Sequence, residues 1–471
     1  MLDSRRRHPL AACIATAMAL TSPLALATTW TVNTCDEANT GSNTTGSLRY
    51  AAAHAADQND VIDMTGLSCS TISLTTGAIV FAQHNLNVNG PGRDKLTITG
   101  KHSGTVENDR IFTHTGTGTL TFKDISIQYG NLAPANINAS GGCIFSSGNV
   151  DLKRVGMYSC KAAASGSHNA AGGAVYTNGE FATQQSVFMH NTADGGSGGK
   201  SSGGAIYARD DVTIDSSTLS FNTATAALNQ GATGGAIAAR KSVSIQYSTV
   251  SKNSAFVGGA IASYDNPQAG TTMSINNSTI SGNSAAQIVG GVFATAAKVY
   301  LYNSTIAFNT AFIGGKLQTP SSSYIYPAAG MTVSEVFGPV AVHMRSSLIA
   351  NNTFGSSPAT DFDLSVLEGT TTSTFDGDHN LIFAARGTLP TDTITGSCPL
   401  LGPLRDNGGP TQTHALLSRS PAIDKGANPA GFASDQRGAP FARISGSLAD
   451  IGAYEVQQSD IIFNSEFDGC P

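Results

Sequence analysis

The chain has 471 residues, 52 of them glycine, with only 12% charged and 7% aromatic side chains and a formal charge of −6. That balance offers no basic face for nucleic acid. Length alone would permit two or three domains, but internal repetition makes one continuous body with caps the better reading.

The first segment reads as an address. Arg5-Arg6-Arg7-His8 is a basic start, an apolar core follows, and Ala25-Leu26-Ala27 is a cleavage-site pattern, so residues 1–27 are expected to be a signal peptide. Six of the seven cysteines lie beyond it, an even number compatible with disulfides in an oxidising compartment. No membrane span is expected in the mature chain, because Pro23 and small residues interrupt a stretch too short to cross.

Residues 28–130 read as an N-terminal cap and first coils. An Ala-rich helix is predicted over 47–56 with Ser47 as its N-cap, followed by strands over 61–64, 71–74, 78–81, 86–88 and 96–98. A helix laid over the first coil would cover an open sheet edge. Cys35 and Cys69 bracket this cap and are expected to staple it; Cys143 and Cys160, 17 residues apart, form a second candidate pair. Cys398 and Cys470 form the third, although fifteen connectivities are formally open.

Residues 131–395 repeat one sentence. Gly172-Gly173-Ala174-Val175 returns at Gly203, Gly234, Gly258 and Gly290, each time followed by a Ser-x-apolar-x-x-Asn phrase ending at Asn191, Asn222, Asn253, Asn283 and Asn309. Four of these Gly-to-Asn intervals are 19 residues long, and the same 19 separates Gly141 from Cys160, which places a cysteine in the Asn slot of an earlier coil. A fixed interval beside a variable one is what a solenoid requires, since stacked strands hold register while a corner is free to bulge. The alternating, β-branched runs between the phrases are strands. The expected fold is therefore all-β, a single-stranded parallel β-helix with three short strands per coil. The recurrent Asn is expected to form an internal amide ladder. A long insertion is predicted over 316–343 in the coil that begins at Gly314, with Asn351 ending that coil.

The GGA phrase, paired with Phe188-Met189-His190-Asn191 and Ile280-Ser281-Gly282-Asn283, resembles the repeats of polymorphic outer-membrane proteins. That resemblance implies a right-handed helix of the pectin-lyase type and a role in adhesion. Residues 396–456 form an irregular C-terminal cap and 457–471 a tail. Leu404-Arg405-Asp406-Asn407-Gly408-Gly409-Pro410, Ser420-Pro421-Ala422-Ile423-Asp424, Asp435-Gln436-Arg437-Gly438 and Asp450-Ile451-Gly452-Ala453-Tyr454-Glu455 closely resemble the end of the choice-of-anchor Q family. The opening words Cys35, Ser47-Leu48-Arg49 and Asn89-Gly90-Pro91-Gly92 match it too. The resemblance implies an exported or surface β-helix protein followed by a variable anchor, and no reaction.

Candidate chemistry is sparse. Arg209-Asp210-Asp211 and Arg240-Lys241 hold equivalent coil positions, but one arginine per coil beside one acidic pair reads as a solvated corner. Asp424, Asp435, Asp450 and Glu455 with His414 and Arg437 form the densest polar cluster and are expected to cap the open end of the solenoid. Asp376-Gly377-Asp378-His379 reads as a turn. No catalytic, metal-binding or cofactor residues are assigned. Three successive corners, 161–171, 192–202 and 223–233, are long and should stack as a raised lip of small polar residues. It carries Lys161, His168, Asp194, Lys200, Asn229 and Gln230 as candidate contacts for carbohydrate or another protein's surface. A non-enzymatic adhesion or binding role is favoured; the alternative is a polysaccharide lyase or glycoside hydrolase of this fold.

Overall fold

Short β-branched runs lay down each coil, and single residues in the left-handed region turn one run into the next. The computed structural model describes residues 27–458 apart from 57–58, 101–108, 228–230, 264–269, 313–316, 319–323, 326, 336–337, 356–361 and 367–372. The segment read from the sequence as a signal peptide lies outside the described residues through residue 26, as do Asn229, Gln230 and Cys470. The fold is a parallel β-helix, with sheets of 14, 12, 12 and 11 strands running the length of the solenoid.

One coil shows the plan. Ile206–Ala208 lies in the 11-stranded sheet, Val212–Asp215 in the 14-stranded sheet and Thr218–Ser220 in one 12-stranded sheet. Thr223–Thr225 and Ala232–Thr233 both belong to the other 12-stranded sheet. The coil thus holds five short strands where three were expected, because the long corner folds back as two strands of its own. The sheets are named below as the floor, long, flank and fin sheets in that order.

The interior is one row of apolar side chains per strand position. Ile206, Ile237 and Ile261 stack in register, as do Ile214, Ile245 and Ile275, and all are at most 1% exposed. Phe81, Phe112 and Phe122 fill the same axis near the N-terminal end. Above it sits the helix Leu48–His54, whose N-cap Ser47 Oγ accepts from the Tyr50 N–H at 3.1 Å. Gln83 Nε2 donates to the Ala52 and Ala55 carbonyls, so two acceptors at the helix's C-terminal end are satisfied inside the cap. Disulfides Cys35–Cys69 and Cys143–Cys160 are present, and Cys398 is also disulfide-bonded.

The constant interval contains two corners, each built the same way. Ser216 and Phe221 have φ of 48° and 57°, and the following residues Ser217 and Asn222 are buried. A left-handed non-glycine residue costs roughly 1–2 kcal/mol, so each corner needs compensation. Ser217 Oγ accepts the Ser186 N–H at 3.0 Å, and Ser248, Ser278, Ser304 and Ser347 continue that row. Asn222 Oδ1 accepts both the backbone N–H (3.1 Å) and Nδ2 (2.8 Å) of Asn191, while its own Nδ2 donates to the Phe188 carbonyl. The amide row runs on through Asn253, Asn283, Asn309 and Asn352. It begins at the Cys160 N–H, which donates to Asn191 Oδ1, and ends on the buried Asp363 carboxylate, which accepts twice from Asn352.

Three details of repeat alignment are corrected. Asn352, not Asn351, holds the last amide slot; Asn351 is the left-handed residue before it, at φ 61°. Val289, not Gly290, aligns with Gly258, because Val292 pairs with Ile261, and Val289 takes the positive φ of 58° that glycine takes elsewhere. The next floor strand is Met331–Val333, in register with Val292, and the next long-sheet strand is Ala341–Arg345. The first falls inside the range read as an insertion and the second begins inside it, so the coil resumes well before residue 342. The reason is that Ala328-Ala329 holds the register of the glycine pair without repeating its lettering.

Residues 399–456, read from the sequence as an end cap, pack against the side of the solenoid. They lie along the outer surface of the flank sheet, where Thr249 Oγ1 donates to the Gln412 carbonyl and Thr279 Oγ1 to Gln436 Oε1. Asn277 Nδ2 reaches the Ser434 carbonyl, and Thr305 Oγ1 accepts from the Ala453 N–H. Ala307, Leu348 and Leu381 turn apolar faces to Leu401, Leu416, Ile451 and Tyr454 in a second core. The flank strands Thr249–Ser251, Thr279–Ser281, Thr305–Ala307 and Leu348–Ala350 are accordingly buried on both faces.

Candidate binding groove

The raised corner is a packed fin. Its outgoing strands Lys161–Ala163, Thr192–Asp194 and Thr223–Thr225 form one ladder, and its returning strands Ala170–Ala171, Ser201–Ser202 and Ala232–Thr233 form another. Alanines fill the space between them: Ala139, Ala162, Ala170 and Ala193 in one cluster, Ala224 and Ala232 in the next. Only small side chains let two strands of one corner approach this closely, which is why the corners are so rich in Ala, Ser and Gly. The fin has a fourth tier, Asn131–Leu132 and Ala139–Ser140, before the first long corner read from the sequence. Gly130 stands in the Asn slot there, since a Cβ would meet the Gly142 carbonyl at 2.2 Å and Cys143 Sγ at 2.8 Å.

The fin meets the floor sheet at the glycine pair. Gly172 has φ 62°, and a Cβ on Gly173 would lie 2.1 Å from the Gly204 carbonyl. This tight bend makes the junction concave. A groove of about 330 Å³ follows it, lined by Asn138, Ser140, Asn169, Tyr176, Lys200 and Ser202, with Tyr207, Thr233 and Ala238 beyond. Strand register sorts these into rows. Phe145, Tyr176, Tyr207 and Ala238 align across the floor, their first three rings stacked at 5.5 and 5.2 Å. Ser140, Ala171, Ser202 and Thr233 align along the wall. Asn138 Oδ1 accepts the Asn169 N–H and Asn169 Oδ1 the Lys200 N–H, both at 2.8 Å. Arg110 closes one end, its guanidinium 5.1 Å over Phe145 and donating to the Ser140 and Gly141 carbonyls. Four tiers at ~4.8 Å each give a trough about 14 Å long.

The lip residues named from sequence divide. Lys200 lines the groove. Lys161 and Asp194 pair with each other at 3.7 Å on the outgoing ladder, and His168 sits in the loop between the two fin strands of its coil. The aromatic and asparagine rows were missed, although Tyr176 and Tyr207 stand directly after the GGAV and GGAI phrases and recur at the coil interval.

No family model and no curated protein matches the chain. Among solved structures, the crystal structure of pectate lyase Pel9A is similar at a TM-score of 0.41 and 14% identity, covering 91% of this chain and 97% of that one.

The other polar clusters are committed to holding the fold. Lys241 Nζ lies 2.7 Å from Asp210, and Asp211 Oδ1 accepts the Ser242 N–H, so the acidic pair links neighbouring coils. In the C-terminal segment, Arg437 forks onto Asp435 and lies between the rings of Phe441 and Tyr454, 3.9 Å from each centroid. Arg443, which the sequence reading omitted, is fully buried against Glu455 at 3.1 Å. Burial pushes the Glu455 carboxyl up to about 7, against Arg443 and the Asp450 and Ser445 N–H donors. Asp450 accepts from the Asp424 and Val456 N–H groups, and Asp424 from Ser447 and Leu448, which lowers the Asp424 pKa. Among the described residues, no group of three His, Cys, Asp or Glu side chains is placed to hold a metal ion.

His414 sets a pH dependence. Its Nδ1–H donates to the Gly402 carbonyl at 2.7 Å, and its Nε2 accepts from Ser281 Oγ at 2.7 Å. Burial lowers its pKa from 6.5 to about 4. A buried neutral histidine contributes stability that is complete above the unfolded value and is lost as pH falls from 6.5 towards 4, on the order of 3 kcal/mol. Glu455, raised by burial, runs the opposite way over the same range, so the parent must be compared with His414→Gln. We expect the parent's C-terminal segment to become more sensitive to protease between pH 7 and pH 5 than the segment of that variant. Identical pH profiles would remove His414 from the account.

Proposed function

We propose that this is an exported, non-enzymatic β-helix protein of the choice-of-anchor Q type that binds an extended glycan along the groove between fin and floor. The observation that carries the reading is the register: the amides of Asn138 and Asn169, the hydroxyls of Ser140, Ser202 and Thr233 and the rings of Tyr176 and Tyr207 hold equivalent positions on successive coils along one concave line. A repeating polar trough matches a repeating polar polymer, and each tier presents hydrogen-bonding groups at about the advance of one sugar ring. Among the described residues the lining contains no carboxylate, whereas an acid–base mechanism on a glycan needs a positioned pair. The basic start, apolar core and small-residue cleavage pattern of residues 1–27 support export. The disulfides are compatible with it, and no helix among the described residues is long and apolar enough to cross a membrane.

The test fills the trough without touching the core. Ala171→Trp places a ring over the wall, and Tyr176→Ala removes part of the floor. Both variants are expected to keep the parent's melting temperature within a few degrees and to lose at least tenfold in affinity for the glycans the parent retains on an oligosaccharide array. Parent-like binding by both would place the ligand elsewhere on the molecule.

A further inference from the structure

The groove is polar but almost uncharged, and its single exception is placed with care. Asn138, Asn169, Lys200 and Gly231 occupy one row on successive tiers of the fin wall. In the first two tiers the side-chain amide turns inward along the row, accepting the backbone N–H of the next tier at 2.8 Å. Lysine has no acceptor and cannot continue that pattern. The row therefore ends at Lys200, and an exposed ammonium takes the place of an amide among the lining groups.

The nearest acid of the fin is already engaged. Asp194, six residues earlier, pairs with Lys161 on the opposite ladder at 3.7 Å. Among the described residues Lys200 makes no ion pair and no side-chain hydrogen bond, and no carboxylate lines the groove. Arg110, at the far end, has its three donor nitrogens on the Gly141 and Ser140 carbonyls and on Thr113 Oγ1. The trough thus presents one uncommitted positive charge in about four tiers of neutral donors and acceptors.

We propose that Lys200 selects a glycan bearing one isolated acidic substituent, a carboxylate or a sulfate, with neutral sugars on either side of it. This rests on the groove being the glycan site. The chemistry follows from the lining. The ammonium pairs with the single anion, while the Asn, Ser and Tyr rows hydrogen-bond the neighbouring hydroxyls. A chain charged on every ring would lay further anions against rows that offer no cation and would lose their hydration without replacement. An exposed pair of this kind is worth up to about fivefold in affinity and weakens with salt.

The experiment uses the full chain and three families of probe: neutral oligosaccharides of three to five rings, the same chains with one uronate or one sulfate, and a chain of uronates throughout. For the parent we expect the singly charged probes to bind about three- to fivefold more tightly than the neutral ones. The fully charged chain should bind no more tightly than the singly charged one. Lys200→Gln should bring the singly charged and neutral affinities together, and Lys200→Glu should invert their order. Carboxylate and sulfate arms show which anion is preferred. If Lys200→Gln keeps the parent's ratio while Ala171→Trp abolishes binding, the lysine proposal fails and the groove stands. If Ala171→Trp leaves every affinity unchanged, or the parent binds none of the probes, both readings fail together.

Discussion

Asn253→Leu is expected to lower stability by about 3–5 kcal/mol, far more than Asn178→Leu at an exposed position two coils earlier. Asn253 Oδ1 accepts the Asn222 backbone N–H at 2.8 Å and Asn222 Nδ2 at 2.9 Å, and its own Nδ2 donates to the Leu219 carbonyl and Asn283 Oδ1. Leucine fits the volume but leaves two buried donors of Asn222 without an acceptor, each costing about 1–3 kcal/mol. The loss falls on both neighbours, because every rung satisfies the one before it. Asn178 is exposed and makes one long contact, 3.5 Å from Arg209. Urea titration of the two variants measures the difference, and native-state hydrogen exchange locates it. Protection should fall first at the amides of 222 and 253. Equal midpoints for the two variants would show that the row is a consequence of the coil and not a support for it.

The second large effect concerns the C-terminal segment. Arg437→Met leaves the Asp435 carboxylate, fully buried, without its cation, and breaking such a pair costs about 3–5 kcal/mol. Asp435 would keep the Arg437 and Glu455 backbone N–H donors, which satisfy lone pairs but do not neutralise the charge. The segment 399–456 should therefore loosen while the solenoid remains folded, since the two are joined by side contacts along the flank and not by shared strands. Limited trypsin digestion with mass spectrometry should show cleavage at Arg405, Arg419 and Lys425 in the variant and not in the parent. Circular dichroism should retain the β signal. A double variant, Asp435→Asn with Arg437→Met, removes both charges, keeps an acceptor for one of those two N–H groups, and is expected to recover part of the protection. If the double variant is as labile as the single one, the stacking of Arg437 between Phe441 and Tyr454 matters more than the charge.

These two experiments address features of different legibility. The coil and its corners could be read because the physics of stacking repeats the same demand on every tier. A left-handed corner needs a following side chain that accepts the previous tier's N–H, and Ser or Asn returns wherever that demand returns. Where another residue meets the demand, the lettering misleads: Val289 bends in place of glycine, and Ala328-Ala329 stands in for the glycine pair. The corner strands were not legible as strands. Runs such as Thr223-Ala224-Thr225 and Ala232-Thr233 have loop composition, and only their pairing with the tiers above and below makes them a fin.

By itself, the sequence determined a parallel solenoid with a helix at its N-terminal end and two of its disulfides, since each follows from periodicity or from cysteines close within one cap or coil. The tertiary structure alone decided where surfaces meet. The outward hydroxyls of Thr249, Thr279 and Thr305 look like any solvent-facing threonine until residues 399–456 are laid across them. Tyr207 lies on the floor sheet and Lys200 and Ser202 on the fin wall, and what joins them into one trough is the angle at the glycine bend. Periodicity is a property of neighbours in one row and survives in the linear text. The meeting of two rows depends on the direction the chain takes between them, which a few backbone torsions set and composition does not record.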